Sequence, residues 1–329
     1  MKNSNWDRNE LLNYGKILES KKIPEDLNKY KIIVHDFQVI NNLLNSIGEK
    51  KKFGINYTNP FKPFYININS NEIKNMIKLE YLFIERIPYT FLKIKSTDWN
   101  DEKLKMLFIK FLKSFDYELY DIYINLLKDK HICINNNIRE NGNIQQLITF
   151  NKYFINIKKD SFKYFNLIHE MGHIKQFRIC NDDINKLEKL YNSLFLQVYP
   201  KYLELQWLEY LKKEGYTDIS LKWEEEFLTA LSIYSERMLI FYNNCNTFGI
   251  NRNHFLINFI GYRFAIGLKD KNKFDIESIN NIICTNDNFD SFNKIDKILV
   301  EKEMCENLKD FVSNYKKEFY KQKQLKKYL

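Results

Sequence analysis

Residues 160–173 read Asp160-Ser161-Phe162-Lys163-Tyr164-Phe165-Asn166-Leu167-Ile168-His169-Glu170-Met171-Gly172-His173. Asp160 or Ser161 is suited to cap a helix, because a short oxygen-bearing side chain there accepts from the first orphan backbone N–H groups. Phe165, Ile168 and Met171 then recur at three-residue spacing, the apolar stripe of a helix that lies against a core. Within this helix His169-Glu170-Met171-Gly172-His173 has the form HExxH. Residues four apart share one helix face, so both imidazoles can aim a nitrogen at one metal ion. Glu170 is turned by ~100° from His169, which keeps it from ligating that ion but lets its carboxylate reach a bound water. The spacing predicts two metal ligands and a general base, with one Zn2+ per chain as the expected cofactor. The competing reading is a helix whose two histidines are solvated or satisfied within a core.

Working outward, residues 131–158 change texture. His131-Ile132-Cys133-Ile134 and Leu147 to Ile157 are β-branched and aromatic runs flanking the Asn-rich stretch 135–143, and they predict a small sheet. Further upstream, Ile33, Val34, Phe37, Ile40, Leu43, Leu44 and Ile47 recur at helical spacing before Gly48, predicting a helix over about 25–46. A second is expected behind Ser70, through Ile73, Met76, Ile77 and Phe83, and a third from Thr97-Asp98 through Leu112. Downstream, helices are expected over 182–214, bent or broken at Pro200 and closed by Gly215, over 220–244 and 253–268, and again over 275–284 and from Asp290 onward. The fold class is therefore mainly α with a small β-sheet. A helical N-terminal lobe is expected over 1–130 and a catalytic domain over 131–329.

Two histidines do not complete a catalytic zinc site, so a third protein ligand is required. His35, His131 and His254 are lone residues with no ligand-like context, and their usual role is structural. Trp223-Glu224-Glu225-Glu226-Phe227-Leu228-Thr229 offers carboxylates near an expected helix start, where the dipole favours them. Glu226 leads into Ala230, Ile233 and Arg237 at i+4, i+7 and i+11, a stripe expected to be buried, and it is the first candidate. Glu225 is the second and Glu236 the third; Glu236 also suits a carboxylate that orients a ligand imidazole.

The HEMGH segment together with a later Glu resembles the gluzincin type of zinc metallopeptidase. The order helical lobe, short strands, HEMGH helix and further helices is most similar to the oligoendopeptidase F and thimet oligopeptidase family. Its members carry HExGH, matched by His169 to His173, and a later helix of form E-x-x-S/T, matched by Glu226-Phe227-Leu228-Thr229. The Glu-Phe-Leu-Thr-Ala-Leu run is also similar to the third-ligand helix of lethal-factor-type peptidases. The resemblance implies a zincin-like fold and hydrolysis of peptide bonds, with His169, His173 and Glu226 on zinc and Glu170 as general base. Phe259-Ile260-Gly261-Tyr262-Arg263 resembles the late Tyr- and Gly-containing helix of the oligopeptidase family, which implies Tyr262 as oxyanion donor, with His254 the other candidate. Arg263 reads as a helix-surface residue. The Tyr153–Ile157 strand is expected to pair with an extended substrate if it lies at an edge.

Composition excludes several other classes. Hydrophobic residues make up 44% and charged residues 28% of 329, which is globular rather than disordered. The aromatic share of 16% beside only 9 Gly and 5 Pro favours long uninterrupted helices. The net charge of +9 comes from 51 Lys+Arg against 42 Asp+Glu. It clusters only at Lys50-Lys51-Lys52 and over 316–327, with no nucleic-acid-binding motif, so nucleic-acid binding is not expected; the partner that the metallopeptidase resemblance implies is a peptide or protein substrate. The five cysteines are far apart, without a CxxC pair, and read as reduced, mostly buried thiols. No apolar leader and no run of ~18 apolar residues is seen, so no membrane span and a cytoplasmic location are expected. The alternative function is a catalytically inactive basic helical binding protein in which HEMGH is structural or vestigial.

Overall fold

The computed structural model describes residues 6–21, 24–54, 101–136, 142–180, 184–191, 196–244, 250–268 and 302–325. The helices expected behind Ser70 and over 275–284 lie outside them. Over the described residues the chain is mainly helical with one three-stranded sheet, as the fold class predicts, and the chain divides into two compact units.

The first unit begins with α1 (Arg8–Ser20) and α2 (Leu27–Ser46). Each starts at an aspartate, Asp7 and Asp26, whose carboxylate accepts two backbone N–H groups of the first turn. Helices α3 (Asp101–Phe115) and α4 (Tyr117–Lys128) follow. Next come β1 (Ile132–Asn135), β2 (Gly142–Leu147), a single 3-10 turn (Ile148–Phe150) and β3 (Lys152–Lys158), then α5 (Lys163–Cys180). The sheet order is β1-β3-β2, with β1 parallel and β2 antiparallel to β3. Side chains alternate between its two faces. Cys133, Leu147 and Phe154 join one core with Leu11 and Leu18 of α1 and Phe37, Ile40, Leu43 and Leu44 of α2. Helix α5 packs on β3 and β2 across the other face.

Helices α1 and α2 share the sheet's core, and α4 packs on α5. Gly142–Leu147 is a strand that the sequence does not predict, because Asn143 has low strand propensity and apolar alternation is lacking. Strand β3 is central: Ile155–Ile157 is paired with both β1 and β2, and Tyr153 and Phe154 with β2. It is therefore not the edge strand that pairing with an extended substrate requires.

A buried carboxylate fixes the link between β2 and β3. Asp36 on α2 is fully buried; its Oδ1 accepts from Ile148 N and its Oδ2 from Thr149 N, each at 2.8 Å. Burial pushes its carboxyl up to about 6, against the hydrogen bonds from Thr149 and Ile148 that favour the charge. A folded pKa above the ordinary 3.8 means this group's contribution to stability is complete below pH ~4 and lost as pH rises through ~6. Relative to Asp36→Asn, the wild type should therefore lose on the order of 2–3 kcal/mol of unfolding free energy between pH 4 and 7, read by urea titration.

The second unit consists of helices throughout its described residues. It includes α7 (Val198–Lys213), α8 (Thr217–Asn244), α9 (Ile250–Leu268) and α10 (Lys302–Leu325), preceded in the chain by α6 (Ile184–Tyr191). The long helix expected over 182–214 is thus two helices. Pro200 lies in the first turn of α7, where its missing N–H costs nothing, rather than at a bend. Gly215, at φ 85°, ends α7 as expected. Helix α9 runs close to the start of α7: a Cβ at Gly261 would come within 2.5 Å of Gln197 Cβ. No helix among the described residues is long and apolar enough to cross a membrane.

Candidate metal centre

Helix α5 carries the HEMGH segment and begins at Lys163, past both expected cap residues; Asp160 Oδ1 accepts from Phe162 N at 2.9 Å in the turn that leads into it. Phe165, Leu167, Ile168, Met171, Ile174 and Phe177 are all buried, so the helix is enclosed over most of its circumference. It is anchored on its outer side by Lys175. The Lys175 ammonium meets Asp116 Oδ2 at 2.5 Å and Glu118 Oε2 at 3.2 Å. Burial works against that ammonium, yet the two carboxylates outweigh it and its pKa is raised. Asp116 is also the cap of α4, accepting from Glu118 N and Leu119 N, so one aspartate ties the start of α4 to the centre of α5.

His169 is half-buried and His173 buried, their ring centroids 4.9 Å apart and their planes at 82°. That is the juxtaposition the four-residue spacing predicts. The His173 ring stacks on Phe177 at 6.0 Å, and its Nδ1 lies 3.3 Å from Gln176 Oε1. Glu170 is buried at 6% exposure, with its carboxylate against the first residue of the edge strand β2. A Cβ built on Gly142 would sit 2.9 Å from Glu170 Oε1 and 3.2 Å from Ile157 Cδ1. Gly142 is not among the glycines with positive φ, so what the position requires is room for the carboxylate rather than a special backbone.

The α8 carboxylates differ from their expected disposition. Glu226 is exposed, and so are Ile233, Arg237 and Glu236; the stripe through Ala230, Ile233 and Arg237 is not the buried one. The buried stripe runs through Glu224, Leu228, Leu231 and Ser235. Helix α8 begins at Thr217, so the three glutamates lie two turns inside it, beyond the reach of the N-terminal dipole. Glu224 is neutralised by Lys212 Nζ on α7 at 2.5 Å, and buried Glu225 by Lys222 Nζ at 3.1 Å.

Tyr262 is buried in the second unit, its ring against Phe227 (4.4 Å) and Tyr234 (5.7 Å) and beneath the Lys201 ammonium at 4.6 Å from its centroid. Burial pushes its hydroxyl up to about 12, with Lys201 opposing and Glu204 reinforcing the shift. Arg263 is fully buried rather than on the helix surface. His35 and His131 have the structural roles expected of them: His35 Nε2 lies 3.1 Å from Gln146 O, and His131 Nε2 3.2 Å from Glu10 Oε2. The His254 side chain falls outside the described residues. Cys133 and Cys180 are buried thiols, as expected of them.

The two imidazoles fit two positions of a zinc ligand set: neutral nitrogen donors, one helical turn apart, one of them held by a neighbouring amide. Among the described residues no group of three or more His, Cys, Asp and Glu side chains is arranged to hold a metal. Two contributors to the site were missed in the sequence. Gln176 was legible in principle, since i+3 from His173 is the same helix face. Gly142 was hidden, because its contact with Glu170 depends on the register of a strand that went unread.

No protein-family model matches the chain, no curated protein matches it in sequence, and no solved structure matches it.

Proposed function

We propose that this protein is a zinc-dependent metallopeptidase that hydrolyses peptide bonds in peptides or proteins. The observation that carries the reading is the His169–His173 pair on α5, with the buried Glu170 carboxylate beside it at the head of an edge strand. Zinc bound there would lower the pKa of a water toward ~7 and polarise the scissile carbonyl. His169 and His173 would hold the ion. Glu170 takes the proton from the attacking water and returns it to the leaving nitrogen. The third ligand is assigned from sequence to α8, with Glu226 first, Glu225 second and Glu236 third. Tyr262 is less suited to an oxyanion role than the sequence implies, because its ring and hydroxyl are engaged within the second unit.

The second reading, a basic binding protein with a structural HEMGH segment, draws on the stacking of His173 against Phe177. A chelation experiment separates the two. Metal-stripped protein should be inert toward a broad peptide library and regain cleavage with one equivalent of zinc; unchanged silence after zinc addition favours the binding protein.

A further inference from the structure

Gln176 is the most enclosed polar group on α5, fully buried at 0% exposure. Its Oε1 lies 3.3 Å from His173 Nδ1, and its Nε2 is buried with no hydrogen-bond partner among the described residues. A buried amide with an unsatisfied N–H2 is costly. An apolar residue of the same volume would avoid that cost, so packing alone does not explain a glutamine here.

We propose that Gln176 is a positioning residue that fixes the tautomer of His173. A carbonyl oxygen at Nδ1 can only accept, so the ring must carry its proton on Nδ1, and the lone pair then resides on Nε2. That nitrogen is farther from the backbone, on the helix face shared with His169. A metal takes neutral imidazole through the lone pair, and a hydrogen bond from the opposite ring nitrogen both orients the ring and raises its basicity. The 16° stacking of the ring on Phe177 restrains the same ring from its flat side. The metal consequence rests on the zinc reading above; the tautomer does not.

Three full-length proteins test the idea: wild type, Gln176→Met, which keeps volume and removes the acceptor, and Gln176→Glu, which restores an acceptor. In metal-free protein at pH 8, nitrogen-15 NMR of the imidazoles should show His173 protonated on Nδ1 in wild type and in Q176E. In Q176M it should move toward the Nε2–H form, with Tm equal or higher because the unsatisfied amide is gone. Zinc affinity measured against a competing chelator should fall by ~10–100-fold in Q176M and recover in Q176E. An Nε2–H tautomer in wild type, or an unchanged tautomer in Q176M, overturns the proposal. If wild type shows the Nδ1–H tautomer yet takes up no zinc, the positioning role stands and the metallopeptidase reading falls.

Discussion

Glu170→Gln should leave zinc binding within a few-fold of wild type and reduce peptide hydrolysis by ~10²–10⁴-fold, the range a positioned general base contributes. The substitution is close to isosteric, and Glu170 is buried against Gly142 and beneath β2, so the side chain's volume is kept while its ability to accept a proton is removed. The test is a split readout: kcat on a cleaved peptide, zinc stoichiometry and Tm measured on the same preparation. Loss of kcat with stoichiometry and Tm intact assigns Glu170 to the proton transfers. Loss of all three would instead make it a structural carboxylate.

The second large effect is expected at Gly142, a residue with no chemistry of its own. A methyl group there would meet Glu170 Oε1 at 2.9 Å and Ile157 Cδ1 at 3.2 Å. Both are ends of flexible side chains, so the fold can yield at small cost, but the carboxylate has to move by a few tenths of an ångström. A misplacement approaching 1 Å can cost ~10²-fold in rate. Gly142→Val should therefore lower kcat by up to ~10²-fold and Gly142→Ala by less, each with zinc affinity unchanged. Full activity in Gly142→Val would show that the carboxylate's position against β2 does not matter.

What the sequence discloses and what it hides follow from the range of the interactions involved. Helix α2 and helix α5 were legible because their signals are local: apolar residues recur at helical spacing in both, and Asp160 accepts from a backbone group two residues on. The imidazole pair was legible for the same reason, as four residues along a helix fix a geometry by themselves. Strand β2 was hidden because its pairing with β3, not its composition, makes it a strand. The inward face of α8 was misread because Glu224 and Glu225 are buried with ammonium partners, one of them Lys212 on a different helix. Hydrophobic periodicity assigns such glutamates to solvent or to a metal and has no means of anticipating a lysine. Asp36 is a similar case: its burial is tolerated through N–H groups more than a hundred residues away in sequence.

The most direct test of the central claim is zinc-edge X-ray absorption on the full-length protein after titration with zinc, alongside His169→Ala and His173→Ala. The metal-centre account predicts one tightly held ion per chain with two imidazole nitrogens in its first coordination shell and nothing but nitrogen and oxygen ligands, and loss of that ion in either variant. A chain that takes up no stoichiometric zinc, or takes it up equally well without either histidine, would contradict it.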